Sequence, residues 1–187
     1  MSVKSELRKS LLSQRRSICN KDEKDSRINK FLIESDVFIN SSSILFYAPT
    51  ADEINIRYAI DCALNMGKKT AFPRCTDKDG NMEFYFVNSY DDLTVGTFNI
   101  MEPDADKALP VTDFRNSLCV VPALSADERG YRIGYGKGYY DRFLQKKHLI
   151  SAALCYNELQ SEKIPNDEYD IRVDYVITDT KILQVMK

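Results

Sequence analysis

The sequence predicts an α/β fold with parallel strand pairs, and three observations predict it. Short apolar strand patterns alternate with helical ones along the chain. One strand pattern, "SLCVVP" at 117–122, is apolar without a break, as strands covered on both faces of a parallel sheet are. Just after it, four of the seven glycines, Gly130, Gly134, Gly136 and Gly138, fall within nine residues. Ligands of such sheets sit beyond the carboxyl ends of strands, so this permissive loop is a candidate binding element.

The elements follow in order. Val3, Leu7, Leu11 and Ile18 mark one face of a first helix. Asp22 is the expected cap of a second, with Ile28, Phe31 and Leu32 facing inward. "SILFY", 43–47, is a short buried strand that stops before Pro49. Ile56, Ile60, Ala63 and Leu64 give a helix ended by Gly67, a residue suited to a left-handed cap. "KTAFP", 69–73, is the next strand, and Arg74 beyond it is expected to point over the same sheet edge. Asp79-Gly80 signals a turn into the strand "MEFYFV", 82–87. Residues 99–116 form the longest irregular stretch. After the glycine loop come a helix through Tyr140, Phe143 and Leu144, strands "ISAALCY" (150–156) and "DYVIT" (174–178), and "ILQVM" as an edge strand. No repeat, linker or low-complexity tract divides the chain, so residues 1–187 are expected to form one domain.

Composition narrows the function classes. An apolar content of 43% supports a core, and 29% charge a soluble surface. The net charge of -2 lacks the basic imbalance of nucleic-acid proteins. No apolar run approaches the roughly 20 residues of a membrane span. The opening "MSVKSELRKSLLSQRR" has no apolar block of a secretory signal, and its amphipathic pattern with Glu6 reads as an integral helix. Five cysteines, an odd number without a CxxC pair, read as small buried hydrophobes in a reducing compartment, which suggests the cytoplasm. The one histidine, His148 in "QKKH", reads as a surface residue near a helix end. Cys–His catalysis and a structural zinc site are therefore disfavoured.

The chemistry gathers in "RIGYGKGYYDRFL", 132–144. Gly134, Gly136 and Gly138 let the backbone turn tightly and aim several N–H groups at one point, ahead of a helix starting near Tyr139. Lys137 adds a positive charge, and phosphate is the natural guest. The run is neither GxxxxGK[ST] nor GxGxxG, and a glycine connection required only for tight turns is the competing reading. Asp141 is either a carboxylate complementing the helix dipole or a magnesium ligand, and Asp174 is the candidate second carboxylate. Lys4 and Arg8, four apart, share a helix face that is either solvated or a phosphate clamp. Glu53, ahead of a helix, is a cap-region acid or a specificity contact.

"VPALSADERGYRIGYGKGYYDRFL", 121–144, resembles the signature of the 5-formyltetrahydrofolate cyclo-ligase family, also called methenyltetrahydrofolate synthetases. "KSELRK" resembles the family's Lys-x-x-x-Arg helix, "YAPTADEINI" its Tyr-x-x-x-x-x-Glu segment, "FPR" its Pro-Arg strand end, and "IPNDEYDIRVDYVIT" its C-terminal acidic block, all in the family's order. The resemblance implies a three-layer Rossmann-like sandwich with a mostly parallel central sheet. It also implies ATP- and Mg2+-dependent closure of 5-formyltetrahydrofolate to 5,10-methenyltetrahydrofolate, with release of ADP and phosphate after phosphorylation of the formyl oxygen. On this likeness Lys4 and Arg8 hold ATP phosphates. Arg132, Ile133, Gly134, Tyr135, Gly136, Lys137, Gly138, Tyr139 and Tyr140 wrap the nucleotide, with Tyr135 to Tyr139 also reaching the folate. Lys137 and Arg8 offset charge in the phosphoryl step, Glu53 contacts the pterin, and Asp141 and Asp174 hold magnesium. The partners are ATP and a reduced folate, with no nucleic acid or membrane, and the chain is expected to act as a monomer. Three departures stand out: Tyr135 where some members have arginine, Ala126 in place of an aromatic, and Tyr169 in place of a common histidine. Two other classes remain open on the residues alone. One is a phosphosugar isomerase that uses the glycine loop and a carboxylate base. The other is a nucleotide-binding regulator without catalysis.

Overall fold

The computed structural model describes residues 2–77, 80–96 and 99–186. Helix α1 (Val3–Arg16) is capped by the Ser2 hydroxyl, which accepts from the Ser5 amide, and ends in the basic pair Arg15 and Arg16. Helix α2 (Lys21–Glu34) follows Asn20, whose backbone is left-handed (φ 54°), so Asp22 falls in the first turn instead of at the cap. Helix α3 (Asp36–Asn40), capped by Ser35, is too short to display a periodicity in sequence. The remaining elements are β1 (Ser43–Leu45), α4 (Arg57–Asn65), β2 (Lys69–Cys75), β3 (Met82–Val87), β4 (Leu93–Val95), β5 (Met101–Pro103), β6 (Ser117–Pro122), β7 (Ser125–Ala126), β8 (Arg132–Ile133), α5 (Tyr139–Lys146), β9 (Ile150–Leu154), β10 (Tyr175–Ile177) and β11 (Ile182–Gln184).

A seven-stranded sheet runs in the order β11-β10-β9-β6-β1-β2-β3. Its interior from β10 to β2 is parallel. The two edge strands, β3 on β2 and β11 on β10, are antiparallel. Successive side chains of a strand point to opposite faces, and the core divides accordingly. Ile44, Leu118 and Val120 pack with Leu11, Ile28, Leu32 and Ile60 from α1, α2 and α4. Leu45, Cys119 and Val121 pack with Phe143 and Leu144 from α5 on the other face. Helices thus cover both faces of a mostly parallel sheet, which is the expected three-layer α/β sandwich.

The irregular stretch expected over 99–116 contains β5, which pairs with β4 in a small hairpin. A second small hairpin, β7 with β8, leads into the glycine loop. Both are shorter than the windows over which alternation shows. In the expected turn before β3, Gly80 is left-handed (φ 92°), while Asp79 lies outside the described residues. Cys119 and Cys155 are the buried thiols that the sequence suggests, and burial pushes both up to about 12. Cys19 is instead exposed, because it lies in the turn between α1 and α2. His148 is exposed just past α5, as expected.

One buried carboxylate anchors the approach to the glycine loop. Asp127 has no exposed side-chain surface. It accepts from the amides of Arg129 (3.1 Å), Tyr131 (3.0 Å) and Ile164 (2.9 Å), and from the Arg129 guanidinium (2.7 Å). Gly130 completes the turn at φ 86°, where an added Cβ would lie 2.7 Å from the Val173 carbonyl. Removing the carboxylate strands several buried donors at once. Asp127→Ala is therefore expected to lower unfolding stability by about 3 kcal/mol or more, read from urea denaturation. A loss below about 1 kcal/mol would show that water replaces the carboxylate at little cost.

Candidate active site

A cavity of about 570 Å³ opens at the carboxyl ends of β1, β2 and β6, between α1 and the glycine loop. The loop's shape comes from guanidinium groups that claim its carbonyls. Arg8 Nε of α1 donates to the Gly134 carbonyl at 2.7 Å. Arg142 of α5 donates to the Gly80 carbonyl at 2.9 Å and to that of Lys137. Two glycines are required by this packing. Gly136 is left-handed (φ 92°), and a Cβ there would lie 2.7 Å from Arg8 Cζ. Gly138 is left-handed (φ 71°) as it opens α5, and its Cβ would lie 3.0 Å from Arg142 Nη1. With the carbonyls of Gly134, Lys137 and Gly138 occupied, the amides are left over. Among the described residues, no acceptor takes the N–H of residues 134–138. Bare amides at a helix start are an anion site. Lys137 lines the cavity beside them.

The cationic wall is built from paired charges. Lys4 of α1 bridges Asp167 (2.7 Å) and Asp170. Burial works against its ammonium, but the hydrogen bonds to both carboxylates outweigh this and hold the Lys4 pKa above its usual value. Arg132 donates to Asp141 at 3.0 Å and to the Ile171 carbonyl at 2.7 Å. The Ile171 amide in turn donates to Asp141 at 3.0 Å, so Asp141 and Asp170 are tied together at one corner of the cavity.

The opposite walls are aromatic and acidic. Glu53 is buried and accepts from the Thr50 amide (2.9 Å) and hydroxyl (3.0 Å). Burial lifts its carboxyl above the usual range, opposed by those bonds and by Arg15. Burial also pushes the Tyr47 and Tyr140 phenols well above their usual value, and Tyr139 up to about 12. These tyrosines thus present neutral hydroxyls near pH 7. Tyr140 Oη has no partner among the described residues.

The structure brings Lys4, Arg8, Glu53, Asp141 and every residue from Arg132 to Tyr140 around this one cavity. It does not bring Asp174 there. β9 and β10 are parallel, with Tyr175 opposite Ala152, so Asp174 lies at the amino edge of the sheet. Its carboxylate accepts from the Ser151 amide at 2.8 Å and hydroxyl at 2.7 Å. The acid that reaches the cavity is Asp170, four residues earlier. The signal was available, since a residue opening a parallel strand is on the edge away from the ligand side. Arg74 is likewise absent from the lining. β2 continues to Cys75, so Pro73 and Cys75 point inward and Arg74 alternates away. Tyr47, the tyrosine of the Tyr-x-x-x-x-x-Glu likeness, also lines the cavity, and Cys75 and Glu102 line it without any local motif to mark them. Tyr169, in the position of the family histidine, is exposed, and Ala126 is buried.

Among the described residues, no three His, Cys, Asp or Glu side chains form a self-sufficient metal site. Mg2+ beside phosphates takes one or two carboxylates and completes its shell with phosphate oxygens and water. Asp141 and Asp170 meet that requirement.

The sequence profile of the 5-formyltetrahydrofolate cyclo-ligase family matches residues 1–179. Mouse 5-formyltetrahydrofolate cyclo-ligase is 28% identical over 159 residues, which cover 78% of this chain and 77% of the mouse protein. The mitochondrial 5-formyltetrahydrofolate cyclo-ligase of Arabidopsis thaliana is 26% identical over 98% of this chain and 75% of its own length. The NMR structure of Aquifex aeolicus 5,10-methenyltetrahydrofolate synthetase superposes with a TM-score of 0.85 at 28% identity, covering 100% of this chain and 94% of that one. A Mycoplasma pneumoniae 5,10-methenyltetrahydrofolate synthetase shares the fold at 20% identity, with a TM-score of 0.75 over 95% of this chain and 99% of that one. Since the profile runs from the first helix past the last parallel strand, the chain belongs to the 5-formyltetrahydrofolate cyclo-ligase family.

Proposed function

We propose that the chain closes 5-formyltetrahydrofolate to 5,10-methenyltetrahydrofolate at the expense of ATP, with Mg2+ held by Asp141 and Asp170. The observation that carries this reading is the row of acceptor-free amides over 134–138, set among Arg8, Lys137 and Lys4 at the mouth of one cavity. A triphosphate requires such donors, and family membership supplies the folate. Five free cysteines support a reducing compartment, taken here as the cytoplasm. No helix among the described residues is long and apolar enough to cross a membrane.

A formamide oxygen is a poor leaving group. Its attack on the γ-phosphorus, with release of ADP, turns it into a good one. The N10 nitrogen then adds to the activated formyl carbon and loses its proton, and the C–O bond breaks to release phosphate. The chain contributes position and charge rather than a nucleophile. The amides of 134–138 and Lys137 meet the charge that develops on the transferred group, and Arg8 both shapes the loop and adds a positive field. Mg2+, when bound, supplies further charge neutralisation at the phosphates. Glu53 contacts the pterin, as the family likeness implies.

The direct test is incubation with 5-formyltetrahydrofolate, ATP and magnesium, following methenyl absorbance and ADP together. Both should rise in step, and ATP hydrolysis without methenyl formation would refute the reading. Lys137→Ala should fold normally by circular dichroism and lose about 100-fold or more in turnover; turnover near that of the unaltered chain would remove Lys137 from the phosphoryl step.

The two candidate second ligands separate by magnesium titration. Asp170→Asn is expected to raise the magnesium needed for half-maximal activity, and Asp174→Asn to leave it unchanged. The reverse pattern would restore Asp174 as the ligand.

Glu53 ties activity to pH-dependent stability. Its folded pKa is raised, so the unfolded chain gives up this proton first. The fold therefore loses stability as pH rises through the folded value, and no penalty exists below the unfolded value of about 4.3. Glu53→Gln keeps an acceptor for Thr50. It should melt higher than the unaltered chain near neutral pH, with the gain closing toward about pH 4, and should use the folate poorly. An equal gain at both pH values would assign the effect to packing.

A further inference from the structure

Glu102 is a second carboxylate of the same cavity, and neither the sequence motifs nor the mechanism above uses it. It comes from β5 in the small β4–β5 hairpin, is 7% exposed, and lines the cavity beside Pro73, Cys75, Met82 and Ile100. The hairpin is shaped around its side chain: a Cβ on Gly96 would lie 2.4 Å from Glu102 Oε2. The Cys75 thiol donates to the carboxylate, and Cys75 also hydrogen-bonds the Tyr139 phenol. A thiol is a weak donor and leaves most of the acceptor capacity of a carboxylate unused. Among the described residues no cation forms an ion pair with Glu102, whereas Lys4 and Arg132 have their own acids.

A buried carboxylate with so little compensation needs a ligand that brings N–H donors. Phosphate is excluded by charge. The two heterocycles of the proposed reaction differ on this point. Adenine offers its 6-amino donor next to the N1 acceptor, and N1 repels a carboxylate. The reduced pterin offers two adjacent donors, the 2-amino group and N3–H, which match two carboxylate oxygens. Glu53 has already committed Oε2 to the Thr50 amide and hydroxyl.

We propose that Glu102 is a specificity-determining residue that accepts hydrogen bonds from the adjacent N–H donors of the pterin ring. The inference rests on the folate reading of the cavity. Its test is equilibrium titration of the full chain with 5-formyltetrahydrofolate, and separately with a non-hydrolysable ATP analogue. Glu102→Gln should weaken folate binding about tenfold or more and leave nucleotide affinity within about twofold. The unaltered chain should also reject a 5-formyltetrahydrofolate analogue carrying methyl in place of the 2-amino group, and Glu102→Gln should lose most of that discrimination. Glu102→Asp, which keeps the acid, is carried through the same titrations in case the glutamine variant does not fold; it should weaken folate binding and retain discrimination against the methyl analogue. Weaker nucleotide binding with intact folate binding, unchanged affinity for both, or undiminished discrimination in Glu102→Gln would each overturn the role of Glu102. Failure of the unaltered chain to form methenyltetrahydrofolate would instead overturn the folate reading itself.

Discussion

The loop at 134–138 has two of its carbonyls held by guanidinium groups, and most of the site follows from that constraint. Arg8 holds the carbonyl of Gly134, and Arg142 that of Lys137, from helices on opposite sides of the loop. A peptide group has a donor and an acceptor facing opposite ways, so fixing the acceptor aims the donor. The glycines serve this arrangement sterically. Gly136 lets a guanidinium approach the main chain, and Gly138 allows the left-handed step that starts α5. The same charge therefore does two things in Arg8: it shapes the loop, and it contributes to the field that a phosphate would feel.

The walls of the cavity carry polar groups that folding alone would not favour. Tyr140 Oη is buried without a partner among the described residues. Glu53 is held above its usual titration range by burial. Native interiors satisfy nearly all such groups. Both Tyr140 and Glu53 line the cavity, which indicates stability given up in favour of groups kept ready for a ligand. Asp127 is the contrast: equally buried, it is fully engaged, and it holds the segment leading into the loop.

The parts of the fold that were legible in sequence are those whose pattern is long or continuous. "SLCVVP" announces a strand covered on both faces, and 117–122 is the buried center of the sheet. The glycine cluster announces the binding loop because few other environments need so many permissive residues together. The hairpins β4–β5 and β7–β8 were hidden because three- and two-residue strands have no period to detect. Asp174 and Asp170 show where residue type stops being informative. Both are acids in one block, and only the direction of β10 decides which of them is near the loop. Glu102 and Cys75 were out of reach for a related reason: what makes them notable is their company in space.

Lys4 in the first turn of α1 grips Asp170, and Arg8 one turn later grips the loop at Gly134. The first helix and the acidic block therefore close on each other over 166 positions of separation. A nascent chain still missing its last few dozen residues has the loop and the first helix but lacks the acid corner that orients Lys4. The corner that orients Lys4 is thus a long-range product of the fold, set only when residues 167–170 have docked against the first helix.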